Sequence, residues 1–553
     1  MSQRPNGQGI EHASSFKEQF TARGMAIGAI GAVILTMSSM FVALKISSLP
    51  WPIMFVALSS MFALKACGKT NINEINVAHT AMSAGAMVAG GLAFTLPGIW
   101  MLDPSADISA VELIVLTVGG TVLGLIFTAL MRKYFVVAQD LPLPMGQAAA
   151  EALIVGDQGG KKAGMLFGAL GFGAIWTALR DWVGAIPALL PSGMNQYMLG
   201  YGSYGAIWLS PMLISVGYLI GPLFLGVWFL GALIGDFGIL IGGTELGWWD
   251  VATAATIKQS LGIGLMVGTG IGIIVKGILP KAKAIFGPMF KKDAVGDSIV
   301  DLRWAPIVML VLAFLFTTVT KMSIQASIIC ILGAWLATAM SSQCVGMSGI
   351  NPMEIFGILV LIAAKACSPD MGGQATFFVA AVVAVACGLT GDVMNDFKAG
   401  KLLGTDPKAQ WYAEVIGGLI GAFVAVGTLL VIVRAYGGEA FGSEVFPAAQ
   451  AGAVAAMVGG ISHMSAFLIG LVVAIVLYML NVPVMTLGLG VYLPFYLSAT
   501  AAIGGALRFV LDRAAPKWTE KGSGQIIAAG LLGGEGIIGV IIALVIAIQM
   551  IAA

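Results

Sequence analysis

Apolar stretches long enough to cross a bilayer recur from residue 24 to the C-terminus, broken only by short polar segments. A helical span needs about 20 mostly apolar residues. Such runs lie near 24–46, 50–67, 73–97, 110–135, 162–181, 207–220, 222–242 and 256–279. After a basic loop they resume near 304–320, 323–343, 352–367, 371–390, 410–434, 461–481, 484–494, 495–513 and 523–550. Charged residues make up 10% of the chain and hydrophobic ones 58%, with a mean hydropathy of +0.96. A soluble domain carries roughly 25% charged residues, and a disordered chain is far less apolar. Both classes are excluded. The expected fold is an all-α polytopic membrane protein with about 16–17 transmembrane helices.

The 75 glycines follow no short period and suit close helix packing in a membrane. A net charge of +1 gives no reason to expect nucleic acid. The five cysteines form no CxxC pair, so neither a metal site nor a disulfide is expected. Residues 1–23 are polar and lack the apolar core of a signal peptide. They read as a cytoplasmic tail.

With the N-terminus inside, most Lys and Arg fall on the cytoplasmic side, as the positive-inside rule requires. They include Arg132/Lys133, Lys161/Lys162, the run from Lys276 to Arg303, and Lys398/Lys401/Lys408. This balance requires 144–156 and 447–459, too short to cross alone, to enter and leave on one side. A bacterial or archaeal inner membrane is the expected location.

The chain also repeats itself. Met37-Ser38-Ser39 returns as Met340-Ser341-Ser342, and Lys65-Ala66-Cys67 as Lys365-Ala366-Cys367. PMGQAAAEALIVG from Pro144 returns as PAAQAGAVAAMVG from Pro447. The order is shared, so we divide the chain into a tail (1–23), a first transmembrane repeat (24–283), a basic loop (284–303) and a second repeat (304–553). An odd number of crossings between the repeat starts makes the halves inverted, an architecture of secondary transporters. The two short segments would then enter from opposite faces and meet near the centre.

Ionisable groups at membrane depth are functional candidates. Glu151 shares a helical face with Gln147, and Gln450 matches Gln147 in the second repeat. Pro352 breaks the helix after Asn351, placing Asn351 and Glu354 beside a cavity or at a helix start. Glu535 lies mid-span in the last apolar run, opposite Thr269 in the repeat. Asn73, Asn76, Thr80 and Ser83 form one polar stripe, with His79 beside it. We take Gln147, Glu151, Gln450, Asn351, Asn76 and Thr80 as candidate substrate contacts. Glu151, Glu354, Glu535 and His79 are candidates for proton coupling. His463 reads as a loop residue. Interhelical hydrogen bonding is the alternative for the stripe and for Glu535.

The run Gly391-Asp392-Val393-Met394-Asn395-Asp396-Phe397-Lys398-Ala399-Gly400 resembles the GD-x-x-x-D-x-K-x-G run of the oligopeptide transporter (OPT) superfamily. LPLPMGQAAAE, Asn351-Pro352-Met353, GVYLPFYLSATAAIGG and Gly534-Glu535 are similar to other segments of that family. The resemblance spans most of 24–548 and points to the prokaryotic branch, related to the yellow-stripe-like carriers of metal chelates. It implies uptake across the plasma membrane, usually coupled to protons. The NPG and KIPPR runs of the eukaryotic peptide branch are missing, which leaves peptide and metal-chelate cargo both open. The Gly391–Gly400 run is expected as a cytoplasmic gating or structural loop, its two aspartates sharing a face if that turn is helical.

The expected activity is therefore secondary transport of small peptides or related polar solutes, with protons and the bilayer as partners and no cofactor. Metal-chelate uptake is the alternative; a passive channel or an intramembrane enzyme ranks below both. Association of two copies through a static unit is an expectation by analogy.

Overall fold

The fold is that of a computed structural model, which describes residues 12–552 apart from 48, 50–52, 157–160, 192–194, 282, 284–297 and 349–350. It is all-α, relieved by one two-stranded antiparallel hairpin of β1 (Leu189–Pro191) and β2 (Ala206–Trp208). Among the described residues, eight helices are long and apolar enough to cross a membrane. Any higher count rests on shorter or broken apolar helices such as Pro211–Ile220, Ala305–Thr318 and Met464–Met479.

The principal helices form two series. The first is α1 (Ala22–Ile46), α2 (Ile53–Ala66), α3 (Ile72–Ala93), α4 (Ala110–Arg132), α5 (Pro144–Gly156), α6 (Lys161–Thr177), α7 (Pro211–Ile220), α8 (Pro222–Ala232) and α9 (Val251–Ile273). The second is α10 (Ile324–Ser348), α11 (Met353–Cys367), α12 (Gly373–Leu403), α13 (Pro407–Tyr436), α14 (Ala449–Gly459), α15 (Met464–Met479), α16 (Val484–Tyr492), α17 (Phe495–Ala514) and α18 (Ser523–Ala552). Lengths recur in order: α1 and α10 each have 25 residues, α2 has 14 and α11 has 15.

Packing interlocks the series. Helix α3 packs on α13 as α12 packs on α4, and α6 packs on α18 as α15 packs on α9. The central pair is α3 with α12. Asn73 Nδ2 donates to the Leu403 carbonyl at 3.1 Å, Ser83 Oγ to Asp396 Oδ2 at 3.0 Å, and a Cβ on Gly91 would lie 2.6 Å from the Val385 backbone. One register rises as the other falls, so α3 and α12 run antiparallel.

Small residues bring the helices together. A Cβ on Gly85 of α3 would stand 3.2 Å from Gly421 Cα of α13, and one on Gly120 of α4 would stand 2.7 Å from the Val382 carbonyl of α12. Without a solvent-driven hydrophobic force in lipid, such approach supplies the packing that holds helices together. Helix α12 is the axis of the bundle, with every residue from Ala375 to Gly400 buried.

Two expectations need correction. The Gly391–Gly400 run is no surface loop: it continues α12 as buried helix, because its polar side chains find partners on α3 and α5 and the Asp396 carbonyl accepts from Gln410 of α13. The short helices α5 and α14 also do not meet at the centre. Gly146 of α5 donates its N–H to Asn395 Oδ1 at 2.9 Å, whereas Val458 of α14 lies beside Gly373 and Ala451 shares Gly98 with Phe377. Residues 377 and 395 lie about 27 Å apart along a helix rising 1.5 Å per residue. The basic loop assigned to 284–303 falls largely outside the described residues.

Candidate functional site

The long polar face of α12 meets α3 and α13 near one end of the bundle. The i, i+4 spacing turns Asp392 and Asp396 to the same side, and Glu414 of α13 faces them. Each of the three offers a carboxylate oxygen within 4.8 Å of the others, and all three are buried. On the facing side, His79 Nδ1 lies 3.6 Å from Asp396 Oδ1, with both side chains 1% exposed. Among the described residues, neither His79 ring nitrogen and neither Glu414 oxygen has a hydrogen-bond partner.

The rim is better satisfied. Ser83 Oγ donates to Asp396 Oδ2, and Gln410 Nε2 donates to the Asp396 carbonyl at 2.6 Å and to Thr80 Oγ1 at 3.3 Å. Asn76 Nδ2 donates to Thr405 Oγ1 at 3.1 Å, leaving Asn76 Oδ1 without a donor. The polar stripe on α3 is thus largely an interhelical hydrogen-bond ladder, with Asn76, His79 and Thr80 set around the acidic cluster.

Electrostatics limit what this cluster can be. Two ionised carboxylates with oxygens within 4.8 Å of each other repel by roughly 3 kcal/mol or more at an effective dielectric of about 20, and three such pairs act together here. All three cannot stay ionised without a compensating charge. The arrangement can hold a shared proton, passed to or from the imidazole, or an oxygen-liganded cation.

A second buried network surrounds Glu535. Arg180 Nη2 donates to Glu535 Oε1 at 2.7 Å, Ser210 Oγ donates to Oε1 at 2.9 Å, and the Met212 N–H donates to Oε2 at 2.8 Å. Arg180 also bonds Asp181 through Nε at 2.6 Å and Nη2 at 2.7 Å. Glu535 therefore ties α18 to α6 and to the start of α7, the structural alternative considered for it.

The other candidates are dispersed. Gln147 is exposed and donates to the Pro142 carbonyl at 2.7 Å. Glu151 lies in α5, with its side chain outside the described residues. Gln450 is buried, its amide donating to the Ser47 carbonyl and its Oε1 left without a donor. Asn351 donates to the Cys387 carbonyl at 2.9 Å and accepts from Ser341 Oγ at 2.8 Å, which pins the chain break before α11. Glu354 is buried in the first turn of α11, where the helix macrodipole favours a carboxylate. His463 caps α15, its Nδ1 accepting from the Ala466 N–H at 3.2 Å.

The structure thus unites His79, Thr80 and Asn76 but sets Gln147 and Gln450 apart. It adds Asp392, Asp396, Glu414 and Gln410. The signal for the aspartates was present: two acids four residues apart in a chain otherwise poor in charge. Glu414 was a single acid within an apolar run, visible only by its sequence position.

Ionisable groups buried at membrane depth within a close-packed helical bundle mark functional sites in membrane proteins. The family model for OPT oligopeptide transporter protein matches residues 19–546, and the chain belongs to this family. A Haemophilus influenzae protein named "Putative oligopeptide transporter" is 26% identical, over 92% of this chain and 92% of its own. The chain is thus a multi-pass membrane protein of a transporter family rather than one bearing an enzyme's name.

Proposed function

We propose that this protein is a proton-coupled secondary transporter that imports small peptides or related polar solutes by alternating access. The observation that carries the coupling is the buried His79, Asp392, Asp396 and Glu414 cluster. It joins α3 and α12, which are inverted-repeat partners, to α13. Adding a proton removes like-charge repulsion within the cluster, so its occupancy biases how tightly these three helices close. Solute and proton would together permit the exchange between outward and inward states. Peptide cargo is the name carried by the relative and the family; metal chelates remain the second cargo reading.

The proposal puts the N-terminus on the cytoplasmic side of a bacterial or archaeal inner membrane, and the distribution of Lys and Arg supports it. Glu354, Glu535 and Glu151 stand behind the cluster as coupling candidates; Glu535 ranks last because its two oxygens are already bonded. Two-copy association through a static unit belongs to the same proposal, by analogy.

Proteoliposomes holding the purified protein test this reading. Uptake of short peptides and of iron chelates is measured with an inward proton gradient, an inward sodium gradient, or neither. Accumulation driven only by the proton gradient, and lost in Glu414→Gln, is the expected result. Sodium-driven accumulation would assign the cluster to a cation instead. Uptake that ignores both gradients would sink the coupled mechanism.

A further inference from the structure

At the far end of α1, Lys45 is half-buried among aromatic rings. Its Nζ lies 5.4 Å from the centroid of Trp208 and 5.7 Å from that of Phe446. Among the described residues it makes no hydrogen bond and no carboxylate lies within ion-pair distance. The nearby acids are already taken: Arg180 bonds both Asp181 and Glu535, and its Cζ lies 5.1 Å from the centroid of the same Trp208 ring. Ring faces attract an ammonium but supply no strong acceptor for its three N–H donors.

The surroundings are fixed. Trp208 is held by its N–H to Thr500 Oγ1 at 2.8 Å, and Phe446 is fully buried against Phe41, Tyr436 and Phe441. Residues on either side of Lys45 meet the start of α14: the Ala448 N–H donates to the Leu44 carbonyl at 3.2 Å and the Ala449 N–H to Ser47 Oγ at 2.7 Å. Gln450, whose Oε1 lacks a donor, sits at this same junction. An ammonium with open donors is thus built into the join between the first and second repeats.

We propose that Lys45, held between Trp208 and Phe446, anchors a carboxylate of the transported solute. The inference rests on the transporter reading above and names the chemistry it selects: a free peptide C-terminus, or the carboxylates of a chelate. A Lys45 that merely balances the charge of Asp181 and Glu535 would not distinguish an acid from its amide.

The test compares binding of tri-alanine and tri-alanine amide to the purified full-length protein by calorimetry. The wild type is expected to bind the acid about tenfold more tightly, as for a charge-assisted bond. Lys45→Gln should erase the difference and Lys45→Arg should keep it. Equal affinity for acid and amide in the wild type, which needs no variant to fold, overturns the proposal, as does a preference unchanged in Lys45→Gln. If neither peptide binds, the peptide reading fails, and ferric citrate replaces them. Citrate binding lost in Lys45→Gln retains the anchor; citrate binding that survives, or none in the wild type, overturns it.

Discussion

His79 Nδ1 stands 3.6 Å from Asp396 Oδ1, inside the range of an ion pair but beyond that of a hydrogen bond. In a dry interior this separation leaves two states close in geometry. With a proton on the imidazole the pair draws together; without it, Ser83 is the side-chain donor to Asp396 among the described residues. The opposing wall is Glu414, so the carboxylate of Asp396 is placed between a basic and an acidic partner.

Asp396→Asn should therefore uncouple rather than abolish transport. Solute exchange across the membrane in the absence of a gradient should persist within about threefold. Gradient-driven accumulation should fall by about tenfold or more, because a neutral residue 396 no longer changes charge when a proton arrives. His79→Gln is expected to flatten the dependence of uptake on pH. Counterflow and accumulation assays on the same proteoliposomes separate these outcomes; equal loss in both would point to misfolding or to a binding role.

Arg180 and Glu535 join α6 to α18 with both side chains 1% exposed. Removing one partner of a buried pair costs about 3–5 kcal/mol because the other charge is stranded. Arg180→Met should lower the thermal unfolding temperature in detergent strongly, since Asp181 loses its partner as well. Replacing both residues, Arg180→Met with Glu535→Met, should restore much of that loss. A double variant less stable than either single one would show that Glu535 matters apart from the pair.

The expectation of a repeat rests on identical dipeptides and tripeptides at matching places, such as Met37-Ser38-Ser39 and Met340-Ser341-Ser342. Helices α2 and α11 carry the Lys-Ala-Cys pair at the same turn. The cluster was harder to see. Asp392 and Asp396 were assigned to a loop because hydropathy falls across Gly391–Gly400, yet burial there is supported by interhelical partners that hydropathy does not count. Glu414 became meaningful only when Gly417 met Ala81, which brings α13 against α3. Glu535 stood out correctly as a buried charge, but its partner Arg180 lies 355 residues away, beyond any local pattern.

Gly85 of α3 and Gly421 of α13 face each other where those helices cross. A Cβ at 85 would press on Thr36 Oγ1 of α1 and stand 3.2 Å from both the Ala32 carbonyl and Gly421 Cα. Backbone atoms cannot yield as a flexible side chain does, so Gly85→Ala should cost about 1–3 kcal/mol by overpacking. Thermal unfolding in detergent reads this directly. Gly168→Ala, with open space around its Cβ position, is the control and should leave stability unchanged.

Asp140 fastens the segment before α5 to α12. It accepts from Lys398 Nζ at 2.9 Å and from Lys401 Nζ at 2.8 Å, and these lysine bonds hold its carboxyl below the ordinary aspartate range. A carboxyl depressed in the folded state adds stability that is complete above its unfolded value, about 3.9, and is lost as pH falls through the lower folded value. Thermal stability compared between wild type and Asp140→Asn should therefore differ at neutral pH and converge below about pH 4. Asn suits the test because residue 140 has φ 47°, a left-handed conformation that Asn tolerates. The carboxylate is largely exposed, so salt should narrow the difference. A gap that persists undiminished at pH 3 would assign the effect to the turn's backbone rather than to the two lysines.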